Sequence, residues 1–419
     1  MPSLNQQIFI GALFGLLVGG VLTQLGDASP VREWSLYACT LSAGVFVDLL
    51  KMILVPLIFS TIVVGVANLQ AHQQIHRVWI ATLLFFMTST ALAMLLGLTV
   101  MNVFRPGEGL HLAMFQDALN NFQHKQMTSA EFFTQFLHGL FQNPFAAFAK
   151  GDVLAVVIFA LFLGVALVVG GERYRNILNL FQEFLDLMMR IVGWIMLIAP
   201  LGIFALLTKL VATQDAALLS TLAKFIILVT GSTIVHGVVV LPLLLYIVTK
   251  KSPLWFFRGA REALITAFAT SSSSATLPVT LKCTTENLQV SKDISGFVVP
   301  LGATMNMDGT ALYEAAAALF IANLAGIDLS ISQQMIVFVT AMIASMGAPG
   351  IPSAGMVTMI MVLQSVGLPI EAVAILLPID RLLDTFRTAV NVEGDMIGSV
   401  IVQKLVEGKE DINNESVKS

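Results

Sequence analysis

Long apolar runs separated by short polar stretches dominate the first part of the chain. Six runs stand out: Ile8–Leu25, Ala43–Val66, Trp79–Val103, Leu154–Val169, Phe184–Val211 and Leu222–Val248. Each approaches or exceeds the ~20 residues that a helix needs to cross the hydrocarbon core of a bilayer. Because unpaired backbone amides are too costly in lipid, these runs predict transmembrane helices. The first run is longer than a signal-peptide core, so we expect it to be a retained span.

Past residue 255 the pattern changes, because polar clusters interrupt two of the apolar runs. Four serines, Ser271–Ser274, break the first run, and the glycine- and proline-rich stretch Gly347–Gly355 breaks the second. An apolar helix broken in its middle predicts a re-entrant hairpin that enters and leaves on one side of the membrane. Non-helical backbone survives at that depth only where it is buried in protein or lines a cavity. Paired broken segments of this kind are the best sequence indication of a transporter binding site.

Each predicted hairpin is followed by one span that carries polar residues, Phe297–Leu324 after the first and Ala372–Leu405 after the second. Two units of hairpin plus helix suggest inverted repeats whose broken tips meet near the midplane. The stretch from Phe104 to Asp152 is more polar and predicts a loop with short helical pieces.

The last span carries a polar stripe. Its polar positions follow the i, i+4, i+7 spacing of one helix face, with apolar residues on the other face: Asp380, Asp384, Arg387, Thr388, Asn391 and Asp395. A charge at the centre of a bilayer costs ~2.5–3.5 kcal/mol on insertion scales. Several charges together therefore indicate a protein-lined or watery environment and a function that needs them.

Arg387 and Asp384 are the leading candidates for substrate contacts. The planar guanidinium group suits a carboxylate held at two points, and the aspartate one turn earlier suits an ammonium group. Together they favour an amino acid with an acidic side chain. The alternative is an internal ion pair that only holds helices together.

Oxygen donors on the two polar spans predict a cation site. Asn306, Asp308, Asn391 and Asp395 supply carboxylate and amide oxygens, which small hard cations prefer. We also expect Asp308 and Gly309 to unwind the helix and free backbone carbonyls, a known transporter arrangement for sodium or a proton. The alternative is a polar patch that joins two spans.

Three further features bear on function. Ser271, Ser272 and Ser273 can bind a substrate carboxylate through hydroxyls and the amides of a half-helix start, although a serine-rich turn can also serve close packing. Glu314 lies one turn past Thr310. A glutamate that is buried without a cationic partner favours its neutral form and can carry a proton; the alternative is a glutamate that faces a hydrated vestibule. His236 lies in mid-span, and we interpret it as a packed, hydrogen-bonded residue.

Composition supports a membrane protein and excludes other classes. The 419 residues are 57% hydrophobic and 11% charged, whereas soluble domains are nearer ~25% charged. The net charge of −4 and the absence of a basic cluster with interleaved aromatics give no indication of nucleic-acid binding. The two cysteines show no metal-binding spacing. Basic residues gather in alternate loops, which predicts that both termini are cytoplasmic.

Four stretches in order carry a resemblance to a known family: Ser271–Pro278 (SSSSATLP), Asn306–Tyr313 (NMDGTALY), Gly347–Gly355 (GAPGIPSAG) and Asp380–Asp395 (DRLLDTFRTAVNVEGD). The chain resembles, over nearly its whole length, the dicarboxylate/amino acid:cation symporter family, which includes glutamate and aspartate transporters. The resemblance is to the prokaryotic type, so we expect a multi-pass protein of a prokaryotic inner or plasma membrane.

The resemblance implies an all-α polytopic fold with eight transmembrane helices, two re-entrant hairpins with inverted repeats, and a homotrimer with an elevator mechanism in which the second hairpin is the gate. The scaffold would comprise residues 1–70 and 109–215. The transport domain would comprise residues 71–108 and 216–405, and a polar cytoplasmic tail would occupy residues 406–419.

The resemblance also assigns site residues. The substrate positions it implies are Ser271, Ser273, Thr310, Gly350, Ile351, Asp384, Arg387, Thr388 and Asn391. The sodium positions it implies, several acting through backbone carbonyls, are Gly302, Thr304, Asn306, Asp308, Ser345, Met346, Ala348, Asn391 and Asp395, with Ser89 and Thr90 for a third ion. Glu314 falls where proton-coupled members carry a glutamate.

Arginine at position 387 is similar to the acidic-substrate branch of the family, but two features depart from it. Members of that branch usually place a second arginine at the position of Ser271 or Thr385, and both are uncharged here, which leaves open how the empty carrier returns. Phe86 lacks the hydroxyl of the tyrosines in the family's sodium-site stretch, which leaves the number of sodium ions, and sodium dependence itself, open.

We therefore expect a secondary active symporter for L-glutamate or L-aspartate, driven by sodium ions, protons or both. A C4-dicarboxylate symporter on the same fold is the near alternative, although it would not need Asp384 as an ammonium partner. An anion-conducting channel, with the stripe lining a pore, is another class. A membrane enzyme using the serines is disfavoured, because no histidine follows His236 and no lysine lies near the serines before Lys282 to act as the activating base.

Overall fold

The computed structural model describes residues 4–25, 29–67, 76–110, 138–213, 216–346 and 354–416. Within these ranges the chain forms helices joined by short turns, and no strand occurs among the residues described. The α-helices are α1 Leu4–Gln24, α2 Pro30–Ala67, α3 His76–Phe104, α4 Pro144–Lys150, α5 Val153–Gly170, α6 Arg175–Thr213, α7 Ala216–Val235, α8 Leu241–Thr249, α9 Pro253–Thr270, α10 Ser273–Lys282, α11 Lys292–Met305, α12 Asp308–Leu324, α13 Ile331–Met346, α14 Ala354–Ser365 and α15 Val373–Ser416.

All six predicted apolar spans are helical. Among the described residues, four stretches are long and apolar enough to cross a membrane, judged by length and composition: Gln6–Gln24, Arg77–Phe104, Ala155–Thr213 and Ala217–Thr249. The third contains both α5 and α6, joined by the short 3-10 turn Gly171–Tyr174. The count of eight spans stays a prediction. Large apolar side chains such as Phe9 and Leu197 remain more than two-thirds exposed, as expected of faces that meet lipid or another subunit.

Helices α1, α2, α5 and α6 pack against one another. Small residues at four-residue spacing explain the closest of these contacts, because Gly11, Gly15 and Gly19 lie on one face of α1. A Cβ atom at Gly15 would lie 2.7 Å from the carbonyl oxygen of Phe204 on α6. Glycine therefore lets the two backbones approach closely, as is common between membrane helices.

A second set of helices surrounds α15. Helix α3 packs along α12 and α15, and α9 and α11 also contact α15. Helix α12 lies at the centre of this set, since sixteen of its seventeen residues, Asp308–Ala322 and Leu324, are buried. The two sets meet where α14 contacts α2 and α5, where α15 contacts α6 and where α11 contacts α2.

The first predicted hairpin is confirmed as two helices, α9 and α10, joined at Ser271 and Ser272. Ser271 adopts a left-handed conformation (φ 50°) and its N–H donates to the carbonyl of Ala267, which ends α9. Ser272 is the N-cap of α10, where its hydroxyl accepts a hydrogen bond from the N–H of Ala275 at 3.1 Å. Serine is a preferred residue at that position. Helices α13 and α14 form the arms of the second predicted hairpin, whose tip, residues 347–353, lies outside the described residues.

The break in the following span differs in position from the prediction. The non-helical residues are Asn306 and Met307, whereas Asp308 and Gly309 open helix α12. An acidic residue is favoured in the first turn of a helix because the helix dipole is positive there. The expectation that Asp308 and Gly309 unwind the helix was therefore wrong by two residues.

Helix α15 begins one residue later than predicted and continues to Ser416. Most of the predicted polar tail, residues 406–419, is thus a helical extension of the last span. The short helix α4 and the turn at Arg105–Leu110 fall within the predicted loop, and residues 111–137 lie outside the described residues.

Candidate substrate and cation site

The structure buries the whole polar stripe of α15 inside the protein. All six predicted residues are at most 4% exposed: Asp380, Asp384, Arg387, Thr388, Asn391 and Asp395. Arg387 is fully buried despite its size. Buried charges need partners or bound ions, so the contacts of Arg387 define the centre of the site.

Arg387 makes contacts with two carboxylates and one aromatic ring. Its Nη2 atom donates to Oδ1 of Asp380 at 2.7 Å and to Oδ1 of Asp384 at 2.9 Å. Its Cζ atom lies 4.1 Å from the ring centroid of Tyr313 on α12, a cation–π distance. The Nε and Nη1 atoms have no hydrogen-bond partner among the described residues. Two buried donors on the planar fork are therefore available to an anionic ligand.

Arg381 is a second arginine at this site, and sequence reasoning missed it. It is partly buried, and its Nη1 atom lies 3.5 Å from Oδ2 of Asp384. The three-residue spacing from Asp384 places it on the same helix face, a signal that could have been used. Asp384 thus lies between Arg381 and Arg387. The internal ion pair between Asp384 and Arg387, the alternative to substrate binding, is present in the structure. Nε and Nη1 of Arg387 nevertheless have no hydrogen-bond partner among the described residues.

The first hairpin lies against this centre. The ring of Phe268, near the end of α9, packs edge-to-face on Phe386 with centroids 5.1 Å apart. Ser271 and Ser273 are buried, and the hydroxyl of Ser271 has no hydrogen-bond partner among the described residues. The hydroxyl of Ser272 is occupied in capping α10.

Helix α12 and the second hairpin enclose the other side. A Cβ atom at Gly355, at the start of α14, would lie 3.3 Å from Nη1 of Arg387 and 3.0 Å from Cγ2 of Thr310. The hydroxyl of Thr310 accepts a hydrogen bond from Nδ2 of Asn391 at 3.2 Å. Thr310 and Gly355 therefore border the same space as Arg387. The predicted substrate positions Gly350 and Ile351 lie outside the described residues.

Asp308 is the centre of a first group of oxygen donors. Its Oδ1 atom accepts hydrogen bonds from the hydroxyls of Thr90 at 2.7 Å and Ser89 at 3.2 Å. Nε2 of His236 lies 3.2 Å from Oδ2, which confirms the prediction that His236 is a packed, hydrogen-bonded residue. The hydroxyl of Ser89 lies 3.4 Å from Oδ1 of Asn306. Helix α3 thus brings two hydroxyls to the break between α11 and α12.

A second group of oxygen donors surrounds Asp395. Its Oδ1 atom accepts a hydrogen bond from Nδ2 of Asn306 at 3.1 Å. Gly302 packs so closely that a Cβ atom there would collide with Oδ1 of Asp395. Asn391, four residues before Asp395 on α15, accepts the N–H of Gly309 at 2.8 Å, which links α15 to the start of α12. Asn306 therefore joins the two groups.

The remaining predicted sodium positions lie at helix ends nearby. The hydroxyl of Thr304 donates to the carbonyl of Leu301 at 3.0 Å, and that of Ser345 to the carbonyl of Met342 at 2.9 Å. Met346, the last residue of α13, borders a cavity of about 10 Å³ that Phe86 and Thr90 also line. Ala348 lies outside the described residues.

Glu314 lies on α12 and contacts the second hairpin. It is fully buried, and its Oε1 atom accepts a hydrogen bond from the hydroxyl of Thr358 on α14. Its Oε2 atom has no hydrogen-bond partner in the part of the chain that the structure describes. Sequence reasoning found Glu314 but missed Thr358, which nothing in the local sequence connects to it.

The arrangement combines one buried guanidinium group for an anion with carboxylate, amide and hydroxyl oxygens for hard cations. Residues of both the anion site and the cation site lie on α12 and α15, and the hydrogen bond between Asn391 and Thr310 joins these two helices. Binding of the anion and binding of the cations would therefore act on the same pair of helices.

Comparison with known proteins identifies the family of the chain. The model of the sodium:dicarboxylate symporter family matches residues 4–405. The chain is 35% identical to excitatory amino acid transporter 3 of Homo sapiens, over 94% of this chain and 83% of that protein. It is 34% identical to excitatory amino acid transporter 3 of Mus musculus (95% and 84%) and 33% identical to excitatory amino acid transporter 2 of Mus musculus (94% and 77%). The chain therefore belongs to the sodium:dicarboxylate symporter family, whose members are membrane transporters and not enzymes.

Proposed function

We propose that the protein is a secondary active symporter that imports L-glutamate or L-aspartate together with sodium ions, protons or both. One observation carries the proposal: Arg387 is fully buried beside α12 and α14, and two of its guanidinium nitrogens have no partner among the described residues. Buried donors without partners are costly. A carboxylate that binds them bidentately would remove that cost, which makes the side-chain carboxylate of the substrate the ligand of Arg387.

Asp384 is the proposed partner of the substrate ammonium group. Its carboxylate now contacts Arg381 and Arg387, so substrate entry would exchange one of these contacts for the ammonium group. The hydroxyl of Ser271 and the first amides of α10 suit the α-carboxylate, because a helix start favours anions. Thr310, Thr388 and Asn391 would complete the polar lining, with Ser272, Ser273, Gly350 and Ile351 as further contacts.

A C4-dicarboxylate such as succinate is the second candidate. It is favoured by the position of Asp384 between two guanidinium groups, because a substrate without an ammonium group leaves both ion pairs in place. The excitatory amino acid transporters that the chain resembles support the amino acid instead.

Sodium ions would bind the oxygen groups around Asp308 and Asp395. Ser89, Thr90 and Asn306 surround the first carboxylate, and Gly302, Asn306 and Asn391 adjoin the second. Carbonyls near Thr304, Ser345, Met346 and Ala348 would provide further ligands. Asn391 also bonds to Thr310, which lies beside Arg387. An ion that binds Asn391 would therefore order the substrate site, and binding at the two sites would be coupled.

Glu314 is the proposed proton carrier. The hydrogen bond from Thr358 connects it to the second hairpin, the element proposed as the gate. A neutral Glu314 would be more stable in this buried position than a carboxylate. Its protonation would then favour one position of α14 over another.

We further propose an elevator mechanism in a homotrimer, with both termini cytoplasmic. The scaffold would comprise residues 1–70 and 109–215 and the moving domain residues 71–108 and 216–405. Support comes from the packing of α1, α2, α5 and α6 as one set and of the remaining long helices around α15 as another.

The test is uptake of labelled aspartate, glutamate and succinate by the purified protein in proteoliposomes, with sodium and proton gradients imposed separately. We expect uphill uptake of an acidic amino acid under at least one gradient, and counterflow when unlabelled substrate is preloaded. Selective succinate uptake would establish the second candidate. Downhill flux without counterflow would instead indicate a channel and contradict the proposal.

A further inference from the structure

A basic surface follows the turn between α8 and α9, where the first hairpin begins. Lys250 and Lys251 lie in the turn, and Arg258 and Arg261 lie on the exposed face of α9. We name these four residues the basic patch. It lies outside the substrate and cation site, and the proposed transport reaction makes no use of it.

Aromatic side chains of the kind found at the depth of lipid headgroups lie beside the patch. Nζ of Lys251 lies 4.3 Å from the ring centroid of Trp255, and Nζ of Lys250 lies 5.6 Å from that of Tyr246. Tryptophan and tyrosine are enriched where membrane meets water, and lysine extends toward the same layer. Arg258 follows Trp255 within one helical turn, so we expect it near the phosphate layer.

The two arginines have no ion pair or hydrogen bond among the described residues. The adjacent acid, Glu262, is already bound by Lys282 on α10 at 3.2 Å. Arg258 and Arg261 are both exposed, so a ligand can reach their guanidinium groups. Two guanidinium groups one turn apart, with no acid of the chain bound to them in the described part, form a binding surface for phosphate groups.

The surface beyond the arginines is apolar. Phe257, Arg258, Arg261, Leu264 and Ile265 line a shallow groove of about 570 Å³. Ile265 is 62% exposed on the same face as the arginines, whereas Ala260 and Ala263 on the opposite face are fully buried. Cationic side chains followed along the helix by exposed apolar ones match an anionic headgroup attached to an acyl chain. A free phosphate would use only the first part of this surface.

We propose that the basic patch and the groove beside it bind an anionic phospholipid, with the headgroup phosphate on Arg258 and Arg261 and an acyl chain along Leu264 and Ile265. The lipid would hold the entry end of α9 at the membrane surface. Basic residues near an anionic headgroup contribute about five-fold in affinity each. Charge complementarity favours this occupant over a zwitterionic lipid.

The test uses the full chain in nanodiscs of phosphatidylcholine that contain a small fraction of phosphatidylglycerol, with retained lipid counted by native mass spectrometry. The wild-type protein should retain phosphatidylglycerol selectively. The variant Arg258→Gln/Arg261→Gln should lose most of that selectivity, about five-fold for each arginine, and Arg258→Lys/Arg261→Lys should largely keep it. The control Arg173→Gln/Arg175→Gln removes equal charge at another exposed site and should retain the lipid.

Three outcomes would overturn the proposal. Equal retention by the Arg258→Gln/Arg261→Gln variant and the wild type would exclude the patch as the binding site. Equal loss in the Arg173→Gln/Arg175→Gln control would show that only overall charge matters. Displacement of phosphatidylglycerol by millimolar inorganic phosphate would show that the patch binds free phosphate and not a lipid.

Discussion

At the residue scale, the balance of charge around Arg387 explains why transport would need cations. Arg381 and Arg387 face Asp380 and Asp384, so two positive and two negative groups balance before any ligand enters. An acidic amino acid adds one net negative charge to this buried place. A cation bound at the nearby carboxylates would offset it, and the cost of an uncompensated buried charge makes binding of the two interdependent.

Replacing Arg387 with cysteine should abolish uptake of acidic substrates. At least two charge-assisted hydrogen bonds to the substrate carboxylate would be lost, each contributing about 1.5 kcal/mol or more, which together weaken recognition about 100-fold or more. The measurement is uptake of aspartate and of a neutral amino acid such as serine by Arg387→Cys in proteoliposomes. Aspartate uptake should fall to background. Serine uptake by the variant should be equal to or higher than that by the wild-type protein.

Removal of Arg387 also leaves Asp380 and Asp384 without their shared partner, which can cost ~3–5 kcal/mol of stability. The variant Arg387→Lys keeps the charge but loses the planar fork, so it separates recognition from folding. We expect a folded protein with strongly weakened aspartate uptake. Wild-type aspartate uptake by either variant would refute the role of Arg387.

Replacing Glu314 with glutamine should remove the effect of a proton gradient on uptake. Glutamine resembles the neutral form of the acid at every pH, so the position can no longer gain or lose a proton. An inward proton gradient should then give no added uptake, while a sodium gradient still drives transport. The control Thr358→Val deletes the hydrogen bond to Glu314 but keeps the acid, and should retain a pH response. An unchanged pH profile in Glu314→Gln would exclude it as the proton carrier.

The residues of α15 were predictable because helix periodicity alone places them on one face. Contacts between distant parts of the chain were not, since Asp308 and His236 lie 72 positions apart and only the fold brings them together. The same holds for Thr358 and Glu314, 44 positions apart. Arg381 is different, because its spacing from Asp384 was visible in the sequence.

At the scale of single elements, the start of α12 and the middle of α15 are built as one unit. Asn391 accepts the N–H of Gly309, and Asn391 also donates to Thr310. A Cβ atom at Gly309 would lie 2.7 Å from both Cα and O of Arg387. Because those atoms belong to the backbone, a rotamer change cannot relieve the overlap.

The variant Gly309→Ala should therefore push α12 away from α15 and disturb Arg387. Overpacking of this kind costs ~1–3 kcal/mol, so we expect a lower unfolding temperature in detergent and impaired aspartate uptake. Gly296→Ala on α11 is the matched control, because a Cβ atom there meets nothing within 4 Å. Alanine at an open helical position should leave stability equal or higher by ~0.4–1 kcal/mol. Equal behaviour of the two variants would contradict the close packing of α12 on α15.

Elements were predictable where a single property decides them. The length of the apolar runs was enough to predict α1, α3, α5 and α6, and the serine cluster was enough to predict the turn between α9 and α10. The break between α11 and α12 was misplaced because the sequence offers several polar residues there. Which of them leaves the helix depends on partners on α15, such as the bond from Asn306 to Asp395, and a local pattern does not contain that information.

At the scale of the whole molecule, the two sets of helices meet through apolar contacts, with α14 against α2 and α5 and with α15 against α6, and a hydrogen bond lies at the α14 side of this contact. Nε2 of Gln364 on α14 donates to the carbonyl of Gly151, before α5, at 3.3 Å. If the set around α15 slides as the elevator proposal requires, this contact must break in each cycle. The native thiols, Cys39 and Cys283, are both buried, so cysteines introduced at the partly exposed positions 151 and 364 can be linked selectively.

Linking the two sets should stop transport, whereas linking two points within one set should not. The variant Gly151→Cys/Gln364→Cys, when joined by a short bis-maleimide, should lose aspartate uptake relative to the same variant without the linker. A cysteine at position 151 (φ 68°) also adds a backbone strain of about 1 kcal/mol. The single variant Gly151→Cys measures the effect of that strain on uptake. Arg105→Cys/Asp328→Cys replaces an exposed ion pair within the proposed moving domain and should transport normally after the same treatment. Undiminished uptake by the fully linked first pair would rule out sliding of the two sets past each other.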